Sequence, residues 1–145
     1  FKAAALDGDW RPMMEYICQQ YHDTTSVRSL IQGERNIQGF MTAYFSLDPY
    51  YLTNPEVELS HGYCDFFLMP DFHRCATTGH AYIVELKYLK PDATEEAAAK
   101  QWNEAVEQIR GYGEGKAVRA LAGKAALHLI VVQIKGHSLY RMDEV

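Results

Sequence analysis

The stretch GYCDFFLMPDFHRCATTGHAYIVELKYLK, at residues 62–90, decides the fold. It contains two short runs rich in aromatic and branched apolar residues, 63–69 and 81–88, on either side of a polar loop. This pattern predicts a β-hairpin with a long loop. Three ionisable residues interrupt the apolar runs: Asp65 in the first, and Glu85 and Lys87 in the second.

The register of this hairpin predicts where the three charges meet. With the loop centred near Cys75, Asp65 and Glu85 face each other, and directly opposed residues have Cβ atoms about 4.5–5.5 Å apart. Side chains alternate along a strand, so Glu85 and Lys87 share one face. Facing carboxylates repel, and burial penalises them further, so a positive group is expected between them. Lys87 is one candidate, and a hard divalent cation suits the oxygen ligands better. An ordinary cross-strand ion pair is the alternative.

A second candidate carboxylate precedes the hairpin. Apolar residues recur at three- and four-residue spacing over residues 26–47, which predicts an amphipathic helix. Extending the apolar stripe places Glu34, and one turn later Gln38, on the inward face. A carboxylate there is costly unless it is paired or bound to metal. Glu34 is therefore a candidate third ligand or outer-shell partner, unless it lies at the edge of the stripe and reaches solvent.

The order of elements predicts an α/β fold. A strand at 50–60 precedes the hairpin, and a helix at 94–112, a short helix near 116–122 and strands at 126–134 and 138–142 follow it. Asp92, three residues before Glu95, predicts a capping box for the long helix. Both faces of the hairpin are apolar away from the charged trio, so helices are expected on both sides of the sheet.

Length and composition predict one domain over residues 1–145, with residues 1–25 as an N-terminal helical extension. The chain begins with Phe, so we expect it to be the C-terminal part of a longer protein. No apolar run approaches the roughly 20 residues of a membrane span, and no signal peptide opens the chain. The three cysteines form no CxxC pair, which indicates reduced thiols and a cytoplasmic protein.

Charge and motif spacing narrow the classes of binding site. The net charge of −5 argues against gripping nucleic acid by bulk attraction, although residues 115–142 contain five basic and no acidic side chains. That basic stretch could contact phosphate or could be a solvated face. GEGK at 113–116 lacks the first glycine and the Ser/Thr of a phosphate-binding loop, which excludes an ATP site of that type. His73, Cys75 and His80 fit no common zinc spacing.

The motifs described above resemble those of a known protein family. Asp65, followed on the next strand by Glu85-Leu86-Lys87, resembles the PD-(D/E)xK nuclease superfamily, and the element order matches its α-β-β-β-α-β core. More narrowly, GERNIQGF, ELSHGYCD, YIVELKYLK and the Gln108-x-x-x-Tyr112 pair resemble the nuclease-like domain at the C-terminus of a group of bacterial AAA-ATPase-like proteins. The resemblance covers about residues 26–135. It implies a restriction-endonuclease-like three-layer sandwich with a central mixed sheet flanked by helices.

The resemblance also implies a metal-dependent reaction. Asp65 and Glu85 would ligate Mg²⁺ or Mn²⁺, and Glu34 would complete the metal site. Lys87 would position and help deprotonate the attacking water. The expected activity is hydrolysis of phosphodiester bonds in nucleic acid, with DNA preferred to RNA.

Further residues and partners follow from the same resemblance. Gln108 and Tyr112 match auxiliary positions near the phosphate, and Glu58 is a weaker auxiliary candidate. Tyr63 departs from the pattern, because many relatives carry Arg there and this chain lacks that phosphate contact. The expected partners are an ATPase-like domain in the same full-length chain and a second copy in a homodimer. The alternative function is a nuclease fold without catalytic activity, which acts as a binding or regulatory module attached to an upstream ATPase domain.

Overall fold

The structure is a computed structural model that describes residues 1–25, 33–59 and 62–145, without the side chains of residues 25, 54–59 and 62. The order of its helices and strands is close to the order that the sequence predicts. In chain order they are α1 (Lys2–Asp7), α2 (Arg11–Thr25), α3 (Glu34–Phe45), β1 (Tyr51–Leu59), β2 (Gly62–Pro70), β3 (His80–Leu89), α4 (Glu95–Gly113), α5 (Lys116–Ala122), β4 (Ala126–Lys135) and β5 (Ser138–Glu144).

The strands form one mixed sheet in the order β1-β2-β3-β4-β5. Neighbouring strands are antiparallel except for β3 and β4, which are parallel. A parallel pair needs a long crossover, and α4 and α5 supply it between β3 and β4. The predicted hairpin is confirmed: Phe66 pairs with Val84 and Leu68 with Tyr82, a register centred on Cys75.

Helices cover both faces of the sheet, which confirms the predicted α/β sandwich. On one face, side chains such as Phe66, Tyr82 and Leu86 pack against α1, α2 and α3. On the other face, Phe67 and Ile83 pack against α4 and α5. Each layer removes apolar side chains from water, which is the main favourable contribution to folding.

One predicted core position is wrong. Alternation along β2 predicts that Cys64 shares a face with Phe66, yet Cys64 is buried in the cluster under α4 and α5. The recorded ladder between β2 and β3 covers only Phe66 to Leu68 on β2. The change of face between Phe66 and Cys64 coincides with the end of that ladder, although β2 stays paired with β1 through Cys64.

The N-terminal helices are part of the first core cluster. The hydroxyl of Tyr82 donates a buried hydrogen bond of 2.7 Å to the backbone oxygen of Ala4 in α1. The indole Nε1 of Trp10 donates to Glu144 in β5 at 2.8 Å. Both bonds join residues far apart in sequence, so α1 is held against the centre of the sheet and the segment before α2 against its edge.

One helix cap differs from the sequence prediction, and another predicted helix start lies outside the described residues. The expected helix over 26–47 is described only from Glu34, and its residues 26–32 lie outside the described part of the chain. The N-cap of α4 is Thr94, whose side chain accepts from the Ala97 N–H, so the predicted capping box with Asp92 is wrong. Within the described ranges, none of the helices combines the length and apolarity that crossing a bilayer requires.

Candidate active site

Asp65 and Glu85 lie where β2 and β3 leave their shared ladder. The last recorded pair is Phe66 with Val84, and extending that register by one position sets Asp65 opposite Glu85. Asp65 reaches across to β3, where its Oδ2 accepts a hydrogen bond of 2.8 Å from the backbone N–H of Leu86. The structure thus brings the two predicted carboxylates together, and a backbone contact fixes one of them.

Glu85 is a buried carboxylate with one open oxygen. The residue is only 1% exposed. Its Oε1 accepts from Lys87 Nζ at 2.7 Å, while its Oε2 has no hydrogen-bond partner within the described part of the chain. Burial, followed by the negative charge of Asp65, raises the pKa of Glu85 to about 7. A buried acceptor without a partner is costly, so this oxygen is suited to bind something positive.

Lys87 is held between two acceptors. Its Nζ donates to Glu85 Oε1 and to Gln108 Oε1, the latter at 3.3 Å. Burial acts to lower the pKa of Lys87, but the hydrogen bond and charge of Glu85, together with Asp65 and Glu34, outweigh burial and raise it. The ion pair runs along β3 between residues on one face, so it is not the ordinary cross-strand pair of the alternative interpretation.

A relay of hydrogen bonds continues from Lys87 through α4. Gln108 Nε2 donates to the hydroxyl of Tyr112, as their spacing of one helical turn permits. The Tyr112 hydroxyl then donates to the backbone oxygen of Tyr63 at 2.7 Å. The predicted auxiliary residues therefore link the lysine on β3 to the backbone of β2, two residues before Asp65.

Of the predicted site residues, Glu34 and Glu58 are the two for which no side-chain hydrogen bond to the site is described. Glu34 is the first residue of α3 and is exposed, and its charge contributes to the raised pKa of both Glu85 and Lys87. Its place as a third metal ligand stays a prediction. The Glu58 side chain lies outside the description, and its backbone pairs with Tyr63 in the sheet.

The donors fit a hard divalent cation. Among residues whose side chains the structure describes, no group of three acidic, histidine or cysteine side chains is arranged to hold a metal. Mg²⁺, however, keeps several waters and binds through one or two carboxylates. Asp65 and Glu85 provide that number of carboxylates, and the open Oε2 of Glu85 provides a free acceptor. The zinc alternative has less support, because His80 Nδ1 bonds His128 Nε2 at 2.8 Å.

A buried glutamine that was not predicted from the sequence joins α4 to the sheet on the strand next to Lys87. Gln133 is 1% exposed and pairs with Lys87 in the parallel register of β3 and β4. Its Nε2 donates to the Ala98 backbone oxygen and to Gln101 Oε1, both at 2.9 Å, and Gln101 donates to the Tyr88 backbone oxygen. These bonds hold α4 over the strand that carries Lys87. The sequence feature that could have identified Gln133 is its polar amide within the otherwise apolar run VVQI, residues 131–134.

Comparison with protein families gives one match that spans the site. The model described as the PD-(D/E)XK nuclease superfamily matches residues 32–144. Comparison with curated proteins gave no significant match, and comparison with solved structures gave none either. The matched range contains the paired carboxylates, the lysine and the helix that follows them, and covers most of the chain. The chain therefore belongs to the PD-(D/E)XK nuclease superfamily.

Proposed function

We propose that this domain is a divalent-metal-dependent nuclease that hydrolyses phosphodiester bonds in nucleic acid, with DNA as the preferred substrate. Nucleases of this superfamily use divalent metals. The observation that carries the proposal is the buried Glu85, with its open Oε2, opposite Asp65 and bonded to Lys87. A purely structural ion pair would need only one carboxylate for Lys87, whereas here the charge of a second one, Asp65, acts on Glu85.

The chain's own residues take distinct roles in this proposal. Asp65 and Glu85 hold Mg²⁺ or Mn²⁺, and Glu34 is a third acidic group at the site. A bound divalent ion would neutralise charge on the scissile phosphate and lower the pKa of a bound water. Lys87 orients the attacking water from its position beside Glu85.

The residues on α4 support the lysine and the substrate phosphate. Gln108 accepts from Lys87 Nζ and so limits where the amine can point. Tyr112 anchors Gln108 to the backbone of β2, which keeps α4 at a fixed distance from the strands. Glu58 is retained as an auxiliary residue on β1.

A cleavage assay tests the proposal. Plasmid, single-stranded DNA and RNA are incubated with the wild type and with Lys87→Ala, in Mg²⁺, in Mn²⁺ and in EDTA. We expect metal-dependent cleavage that falls by about 10²–10⁴-fold in the variant, the usual contribution of a positioned proton-transfer or water-orienting group. The matched control is Lys100→Ala, an exposed lysine on α4 paired with Glu104. Cleavage that survives unchanged in Lys87→Ala refutes the assigned role.

The rival function is a silent binding module that serves an ATPase-like domain.

We also propose that the domain works in the cytoplasm, as the C-terminal part of a longer chain. That chain would carry an ATPase-like domain and form a homodimer. The resemblance of GERNIQGF and YIVELKYLK to that group of proteins supports the ATPase partner. Metal binding at Asp65 and Glu85, without any cleavage that depends on Lys87, would favour the silent module over the nuclease.

A further inference from the structure

Tyr63 is a large aromatic side chain exposed to solvent on the strand that carries Asp65. Its residue is 60% exposed, and it packs in neither core cluster. It precedes Asp65 by two residues on β2. Two residues of extended strand span about 6.6 Å, so the Tyr63 backbone lies within about one nucleotide's length of the Asp65 backbone.

The position of Tyr63 is fixed by the same relay that holds Lys87. Tyr112 is buried, and its hydroxyl donates to the Tyr63 backbone oxygen at 2.7 Å. Through Gln108 that contact continues to the lysine amine. The backbone under the exposed ring is therefore held relative to the reacting groups, so binding need not order this part of the strand.

The charged side chains near the site do not provide a general electrostatic attraction for phosphate. The net charge is −5, and Asp65, Glu85 and Glu34 are all acidic. Several basic side chains of residues 115–142 are engaged within the domain. Lys124 and Lys135 donate to backbone oxygens of other segments, and Arg141 lies 4.0 Å over the ring of Trp102.

An aromatic face offers a different source of affinity. Stacking of a nucleobase on an aromatic side chain is worth about 1–3 kcal/mol per base and tolerates any sequence, because every base has a π-face. The bases inside a duplex are already stacked on both faces, so they cannot use an external ring without being extruded. A tyrosine in this position thus favours an unpaired base.

From these contacts we infer that Tyr63 is a stacking platform for an unpaired base next to the scissile phosphate, and that the substrate class is single-stranded nucleic acid or a single-stranded segment. The inference rests on the proposed nuclease function. It goes further by assigning strandedness to one side chain. DNA and RNA both offer the base face, and the experiment includes both.

Binding is measured on a form that does not cleave. Lys87→Ala in Mg²⁺ serves as the parent, and fluorescence anisotropy reports its affinity for short labelled single-stranded DNA, single-stranded RNA and blunt duplex DNA. Adding Tyr63→Ala is expected to weaken single-strand binding by about 5- to 150-fold, the equivalent of that stacking energy. Adding Tyr63→Phe, which keeps the ring, is expected to change it less than about twofold. Duplex binding is expected to stay the same.

A control variant and a spectroscopic signal separate stacking from general damage. Tyr16→Ala removes an aromatic of similar exposure on α2 and is expected to leave binding unchanged. A fluorescent base analogue in the single strand is expected to be quenched by the parent and by the Phe variant, and not by the Ala variant. Thermal unfolding of each variant should match the parent, because the Tyr63 ring is not packed in the core.

The outcomes distinguish this inference from the proposed function. Equal losses on single strand and duplex, a Phe variant as weak as the Ala variant, or unchanged binding in Tyr63→Ala each overturn the stacking role. Metal-dependent cleavage by the wild type can stand in all three cases. A parent that binds no nucleic acid overturns the inference, and the absence of wild-type cleavage in the separate assay overturns the nuclease.

Discussion

Replacing Glu85 with Gln should make the metal-free protein more stable above neutral pH. The side chain is 1% exposed, faces Asp65, and has an oxygen without a partner in the described part of the chain. Without a cation, ionising this carboxyl is therefore unfavourable. Glutamine keeps the shape and an acceptor for Lys87, and it removes the charge.

The magnitude follows from the raised pKa. Burial and the charge of Asp65 raise the pKa of Glu85 from 4.5 to about 7. Between these values the native protein binds more protons than the unfolded chain, so the free energy of unfolding falls as pH rises through this window. Each pKa unit corresponds to about 1.4 kcal/mol. The advantage of Glu85→Gln should thus grow from near zero at low pH to about 3 kcal/mol above neutrality.

Urea unfolding in EDTA, at pH 5 and pH 8, measures this difference directly. The matched control is Glu104→Gln, an exposed glutamate on α4, which should change the free energy of unfolding by less than about 0.5 kcal/mol at both pH values. Adding Mg²⁺ at pH 8 should stabilise the wild type and not Glu85→Gln. A difference between wild type and Glu85→Gln that is the same at pH 5 and pH 8 would refute the reasoning.

Three further predictions concern the rest of the fold. Tyr82→Phe leaves the buried Ala4 oxygen without its donor and should cost about 1–3 kcal/mol in urea unfolding, with faster proteolysis of the N-terminal helices. Gln133→Leu should lower metal-dependent cleavage, and an unchanged rate would exclude its positioning role. Burial, with the nearby charge of His128, lowers the pKa of His80, so the native protein resists protonation there. Stability should therefore fall as pH drops through the ordinary histidine pKa, and His80→Gln should flatten this dependence in thermal unfolding.

The paired carboxylates were predictable because a hairpin obeys two simple rules. Side chains alternate, and residues equidistant from the loop centre face each other. Those rules predicted that Asp65 meets β3 near Glu85 and that Lys87 shares a face with Glu85; Asp65 accepts from the Leu86 N–H, and Lys87 donates to Glu85. The i, i+4 spacing of a helix likewise predicted the contact between Gln108 and Tyr112.

Contacts between distant segments were not predictable in the same way. Nothing in the local sequence indicates that Gln133 bonds to α4, since its partners lie more than thirty positions away and depend on how the helix crosses the sheet. A helical extension over residues 1–25 was expected, but its division into α1 and α2 was not, because the short α1 carries no full amphipathic period. Cys64 lies on the face opposite to Phe66, which strict alternation along β2 does not predict.

The central claim is that Asp65 and Glu85 together hold a divalent cation. Titration calorimetry with Mn²⁺ tests it most directly, using the wild type, Asp65→Asn and Lys87→Ala. We predict saturable binding of a single ion by the wild type and by Lys87→Ala, and loss of that binding in Asp65→Asn, which keeps the acceptor for the Leu86 N–H and removes the charge. Equal binding by the wild type and Asp65→Asn, or no binding by the wild type, would contradict the claim.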